Sequence, residues 1–430
     1  MFKVLLNAWK VKDIRTKIIF IGMLLVIFRL GSHIPLPGVD LQKLYGMDLS
    51  NIDANNLFAM IAGGGFGTVF AMGIGPYITA SIIMQLLTYA LPPLERLQKE
   101  GEEGRKKINQ ITRYMAVGMS LINGAALVFS YTRLTGGGAE GTTNLFNHGT
   151  MFTYVMATIA MVTGTIFIMW LAELLTEKGI GNGASFIIFA NILASLPGTI
   201  NQFRVRMATG DMLRESVFLL AVIVVFTLII GFVVLVQEGE RRIPVQYSKK
   251  MAGRTMFGNQ STYIPIKVNI AGVMSIIFAI SLLQFPMQLS GFFPNNATLG
   301  SISRYLDTSH WVGTICYVAL IFMFTFFYTS FAINTTEMAE NMKKNGGFIP
   351  GIRPGRPTTE FVQKTVDRMS LIGAIMYSMI AIVPILFERF TGMPAMFGGT
   401  TLLIVTGVAL EFIKQLESQL LMRHYKGFLE

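Results

Sequence analysis

Ten long apolar stretches, separated by segments that alternate between strongly basic and nearly free of charge, constrain this chain more than any other feature. A helix needs about twenty apolar residues to cross a bilayer core. The stretches lie at 18–35, 72–91, 115–131, 151–175, 184–196, 217–236, 270–289, 311–333, 369–387 and 397–413. Starting from the N-terminus, the segments on one side are 1–17, 92–113, 173–183, 237–268, 335–368 and 411–430, and they hold 27 of the 35 Lys and Arg. The opposite set, 36–71, 132–150, 197–216, 290–310 and 388–396, holds 7, and Arg29 inside the first stretch completes the total. Basic residues collect on the cytoplasmic side of membrane proteins. The bias therefore predicts both termini in the cytoplasm, and nine or eleven spans would scramble it. The expected fold is an all-α membrane protein with ten transmembrane helices.

The net charge of +11 invites a nucleic-acid reading, but the side-by-side placement of the charges argues for topology instead. Only 14% of residues are charged, against roughly 25% in a soluble domain. The lone Cys316 lies inside a span and implies no disulfide framework. His33, His148, His310 and His424 are scattered, and no His, Cys, Asp and Glu cluster has metal-ligand spacing. Neither a zinc-protease HExxH, a phosphate loop nor a nucleophile elbow is present. The run Gly179-Ile-Gly-Asn-Gly183 lacks the strand and spacing of a dinucleotide site and reads as a turn. No enzyme, cofactor or metal is expected. Residues 2–17 are basic and amphipathic, which predicts a helix on the inner membrane surface rather than a removable signal peptide.

Function must then lie in what breaks the apolar pattern. Ten spans divide into five plus five, and an odd number per half sets the halves in opposite orientation, as in inverted-repeat transporters. Segment 56–70 is apolar but crowded with glycine at Gly63, Gly64, Gly65 and Gly67. Glycine costs about 1 kcal/mol each in a helix, and bare backbone cannot face lipid. The segment is either an interfacial loop or a re-entrant piece folded into a central cavity. The fifth stretch, 184–196, is short and ends at Pro197-Gly198. Two cytoplasmic loops are long: 237–268, with Arg241, Arg242 and Arg254, and 335–368, with Arg353 and Arg356. The Gly and Pro density around Arg353 predicts a stiff projecting hairpin rather than a helix. Arginine there offers a bidentate donor to a partner, whereas the lysines also fit contact with anionic lipid.

These breaks together resemble the SecY family, the channel subunits of the bacterial protein-conducting translocon. The likeness is carried by 73–85 (GIGPYITASIIMQ), 99–105 (KEGEEGR), 176–183 (TEKGIGNG), 238–242 (EGERR), 267–272 (KVNIAG), 346–355 (GGFIPGIRPG) and 398–404 (GGTTLLI). It implies two pseudo-symmetric five-helix halves, 18–196 and 217–413, joined by an external hinge loop at 197–216. Segment 1–17 would precede them and a cytoplasmic tail, 414–430, would follow. It implies a pore ring of Ile74, Ile78, Ile188, Ile277 and Ile404, with the smaller Ala184 at a further ring position. A collar of aliphatic side chains offers no directional hydrogen bonds and can exclude water by dewetting. The resemblance makes 56–70 a plug, including Ile61, Gly63, Gly64, Gly65, Phe66 and Gly67. It sets Thr79, Gln85 and Gln284 on a lateral gate.

The same resemblance makes Arg241, Arg242, Arg254, Arg353 and Arg356 a docking site shared by the ribosome and the motor ATPase SecA. The implied function is translocation of unfolded, signal-sequence-bearing polypeptides across the plasma membrane and lateral release of transmembrane segments into lipid. SecE and SecG are the implied companion subunits. A secondary transporter of a small solute is the alternative; it predicts buried charged or hydrogen-bonding groups at mid-membrane. An intramembrane protease would need a catalytic Ser/His or paired Asp at mid-depth, and none is apparent.

Overall fold

The structure, a computed structural model, describes residues 6, 8–39, 67–133, 146, 150–209, 212–247, 262–268, 274–292, 297–308, 310–391 and 399–426. Each of the ten apolar stretches falls on its own helix. In order these are α1 (Lys12–Gly31), α2 (Gly75–Ala90), α4 (Glu102–Arg133), α5 (Met151–Lys178), α6 (Gly183–Thr209), α7 (Met212–Glu238), α8 (Met274–Phe292), α10 (Trp311–Ala332), α12 (Arg356–Thr391) and α13 (Gly399–Lys426). Shorter helices among the described residues include α3 (Pro92–Lys99), α9 (Ala297–Leu306) and α11 (Thr335–Lys344). Strands β1 (Glu240–Tyr247), β2 (Thr262–Lys267) and β3 (Gly347–Phe348) form one antiparallel sheet in the order β2-β1-β3. Among the described residues, five helices are each long and apolar enough to cross a bilayer unaided. A sixth span results if α2 and α3 count as one helix bent by 98° at Leu91.

Several helices outrun the stretches that announce them. The first begins at Lys12, after a bend at Val11 that parts it from helical residues 8–10, so residues 12–17 belong to the same helix as the first apolar stretch. Expected to end at Leu196, the fifth instead runs through Pro197 to Thr209, and α7 starts at Met212, so most of 197–216 is helical. Proline removes one backbone donor but its φ is already helical, and within a membrane protein the freed carbonyl finds other partners.

Segment 335–368 is also not a bare hairpin. Its first third is α11, whose N-cap Asn334 accepts a hydrogen bond from the Glu337 amide at 3.2 Å. Glu337 in the first turn and Lys343 and Lys344 in the last complement the helix dipole.

Two compact units divide the chain. The first comprises Met1–Glu215, Ser281–His310 and Val408–Glu430; the second comprises Ser216–Ile280 and Trp311–Gly407. Within the first unit α4 packs against α2, α3 and α5, and α5 also packs against α1 and α6. A buried cluster of Leu36, Val39, Met72, Phe146 and Met161 closes one end of these helices. Within the second unit α10 lies along α12, and the sheet rests on α11 and α12.

Candidate functional site

Two places gather the residues singled out by sequence. The first is the frame at 67–74, where the described chain resumes after the glycine-rich segment. Ile61, Gly63, Gly64, Gly65 and Phe66 lie outside the described residues; Gly67 is described, with φ +72, a conformation that favours glycine. From there the chain pairs with the segment after α1. The Leu36 amide donates to the Gly67 carbonyl at 2.9 Å and the Val69 amide to the Ile34 carbonyl at 3.0 Å, flanking a Pro35–Thr68 antiparallel bridge.

Phe70 then inserts between Phe28 and Phe167, with ring centroids 6.0 Å from each. It fits because Gly31 and Gly164 have no side chains. A Cβ on Gly31 would run into the Phe70 ring, and one on Gly164 into the Val69 carbonyl. Gly31 and Gly164 were not singled out from sequence, although a lone glycine inside an apolar helix is the usual sign of close approach. After a second positive-φ glycine, Gly73, the chain enters α2, with Pro76 in its first turn.

Ile74 is fully buried beside this frame, Ile188 and Ile277 are buried, Ile404 is buried, and Ile78 is half-buried. Burial removes the lipid-facing reading for the four buried isoleucines; a closed constriction and ordinary helix packing both bury them. Ile74, Ile78 and Ile188 belong to the first unit, Ile277 and Ile404 to the second. Ala184, the further ring position, is partly exposed on α6. The Thr79 hydroxyl donates to the Gly75 carbonyl at 3.2 Å, and the Gln85 amide to the Ser81 hydroxyl at 3.4 Å, so both polar groups are satisfied along their own helix. Gln284 lies on α8, its side chain outside the described residues.

The second place is the sheet. Alternation along β1 buries Ile243 and Val245 and exposes Arg242, Pro244 and Gln246, the period-two pattern of a strand with one covered face. That face joins Ile266 of β2, Met342 of α11, Ile349 after β3, and Val362 and Val366 of α12 in one core. The two loops that sequence treats separately are therefore one folded element. Val245→Asp would place an unpaired carboxylate in this core at a cost of ~4 kcal/mol. The variant should insert normally yet be cleaved by protease within 240–247 and 345–356 faster than the native protein.

The turn after β3 presents Arg353. Ile349 is buried and Ile352 packs on the same core, so apolar anchors hold the turn beside Arg353. Gly351 at φ +82 and Gly355 at φ +110 allow the reversal. The Thr358 hydroxyl caps the Arg353 carbonyl at 2.9 Å. The Arg353 side chain is exposed and forms no ion pair among the described residues.

Arg241 is exposed on the same sheet. Arg242 is paired with Glu240 at 2.7 Å and stands 4.8 Å over the Tyr263 ring, and its hydrogen bond to Glu240 raises its pKa. Arg356 opens α12 with a loose, exposed pair to Glu360 at 3.3 Å. Arg254 lies outside the described residues.

Comparison with known proteins gives a consistent picture. The sequence pattern of the SecY family matches residues 68–413. Protein translocase subunit SecY of Bacillus licheniformis is 41% identical over 441 aligned residues, covering all of both chains. A solved SecY channel, whose plug domain is described as stabilising its closed state and maintaining a membrane seal, superimposes with a TM-score of 0.62. It is 19% identical and covers 92% of this chain and 90% of that one. Canine Sec61, solved in a ribosome-channel complex from the endoplasmic reticulum, superimposes at 0.60, with 18% identity over 93% of this chain and 90% of its own. At those identities the two structures speak to fold.

Proposed function

Since the chain belongs to the SecY family of protein translocase subunits, we propose that it conducts unfolded, signal-bearing polypeptides across the plasma membrane and releases transmembrane segments laterally into lipid. The observation that carries this reading is the rigid frame at 67–74. An apolar, glycine-rich segment ends there in fixed hydrogen bonds and a Phe70 wedge, directly beside the buried Ile74. A stopper needs such a fixed point if it is to leave and return to one place. Ile74, Ile78, Ile188, Ile277 and Ile404 form the ring in this reading, 56–70 is the plug, and Thr79, Gln85 and Gln284 tune the gate.

The energy for transport comes from partners. The sheet with Arg241, Arg242, Arg254, Arg353 and Arg356 receives the ribosome or SecA; SecE braces the chain and SecG accompanies it. The basic bias puts both termini and this sheet in the cytoplasm. A small-solute transporter is not favoured. What disfavours it is kinship: the family pattern spans residues 68–413, and the full-length relatives are protein translocase subunits.

Reconstituted into liposomes with its companion subunits and motor, the chain should carry a signal-bearing precursor to a protease-protected position. A precursor that stays accessible under ATP would overturn the reading. Removing residues 61–66 should raise the ion conductance of the idle complex on the order of tenfold, because an apolar seal holds only while it stays dry. Unchanged conductance would remove the plug.

A further inference from the structure

We propose that Arg113, Glu173 and Tyr77 form a clasp that fixes the rotational setting of α2, and through it the ease with which the channel yields to a signal sequence. The proposal rests on the channel reading above, in which Ile74 and Ile78 of α2 line the constriction.

Arg113 near the start of α4 donates from Nε to Glu173 Oε1 near the end of α5 at 2.7 Å, joining helices sixty residues apart in sequence. One turn further into the bundle, Ala116 and Met169 meet Ala80 of α2 in a buried contact, and Tyr77 packs against it. Residues three and four apart share a helix face, so the ion pair sits directly above this contact on both α4 and α5.

Tyr77 is next to Ile78 in sequence, about 100° round the helix from it, and one turn after Ile74. Any turn of α2 that withdraws the two isoleucines must carry the Tyr77 ring across Ala116 and Met169 and past the pair. The small side chains of Ala80 and Ala116 let the three helices approach closely, which leaves little slack for that movement. A close ion pair on one side and a wedged ring on the other thus act as a detent on the ring-bearing helix. The side chains are 49% and 25% exposed, so the pair itself is worth no more than ~1 kcal/mol. That is a bias on an equilibrium rather than a brace for the fold.

Transport of a precursor with a defective signal, measured relative to one with an intact signal, tests this in the complete complex. Glu173→Gln, Arg113→Gln and Tyr77→Leu should each raise that ratio about threefold, ~0.7 kcal/mol at ~1.4 kcal/mol per decade. The swap Arg113→Glu with Glu173→Arg should return the ratio toward the native value. A merely structural role would not produce that rescue.

Single variants with the native ratio, or a swap no better than the singles, overturn the clasp. Should the charge variants fail to accumulate, Tyr77→Leu, which removes the wedged ring and leaves the ion pair in place, decides alone. If the variants are silent while removal of 61–66 still opens a leak, only the clasp fails; if that removal is silent too, the channel reading fails with it.

Discussion

Arg353→Glu should lower motor-driven translocation at least about tenfold, while the chain remains inserted and the cytoplasmic sheet stays folded. The expectation follows from how the turn is built. Ile349 and Ile352 pin it to the shared core, Gly351 and Gly355 supply the backbone reversal, and the Thr358 hydroxyl caps the Arg353 carbonyl. None of these contacts involves the guanidinium, so reversing its charge leaves the scaffold intact. A backbone held in place beforehand loses little conformational entropy on docking, which leaves more of the arginine's interaction energy for binding. Reversal removes an attraction and adds a repulsion, a loss of about 2–5 kcal/mol when the pair is desolvated. Arg356→Glu serves as comparison: its exposed pair with Glu360 already occupies the side chain, and its effect should be several-fold smaller. Equal transport by the Arg353 variant and the native chain, measured with purified motor and precursor, would exclude this turn as the docking point.

The bilayer makes part of this molecule easy to read. A span must be apolar for most of its length, so all ten stretches coincide with helices. Where helices leave the bilayer that constraint lapses, and ordinary helix chemistry takes over. α4 starts at Glu102, α12 at Arg356 and α13 ends at Lys426, all in polar sequence that hydropathy treats as loop. The strand Glu240–Tyr247 lies in what sequence reads only as a loop, although Ile243 and Val245 stand at alternate positions there; its second partner, the two residues Gly347–Phe348, is too short to show a period. The caps on α11 were present as Asn334 and Glu337, and the neighbouring glycines and prolines obscured them. At the candidate site, the arginine-bearing turn was visible as composition, whereas its anchoring was not, because Ile349 and Ile352 mean nothing until β1 and α12 supply the other half of the core. The same holds for Arg113 and Glu173: each is a charge at a span end, and only the register between α4 and α5 brings them together.

The second large effect concerns a residue with no side chain. Gly164→Ala should destabilise the protein by ~3 kcal/mol, the upper end of the usual cost of overpacking a tight interior, and should raise idle conductance as well. The added Cβ would collide with the Val69 carbonyl and approach Val69 Cγ1 at 2.9 Å and Phe70 Cδ1 at 3.0 Å. The carbonyl is backbone, held by the neighbouring Val69 amide bond to Ile34, and Phe70 is trapped between Phe28 and Phe167, so neither can step aside cheaply. The strain must go into the frame at 67–74, displacing Ile74. Gly118→Ala is the matched control: it too sits in the middle of a long apolar helix, but a Cβ there meets nothing within 4 Å. Helix propensity alone would make both substitutions favourable by up to about 1 kcal/mol. Thermal unfolding in detergent should therefore move in opposite directions for the two variants. If it moves upward for both, the frame is softer than its contacts imply, and a segment ending in a soft frame has no fixed seat to which a seal could return.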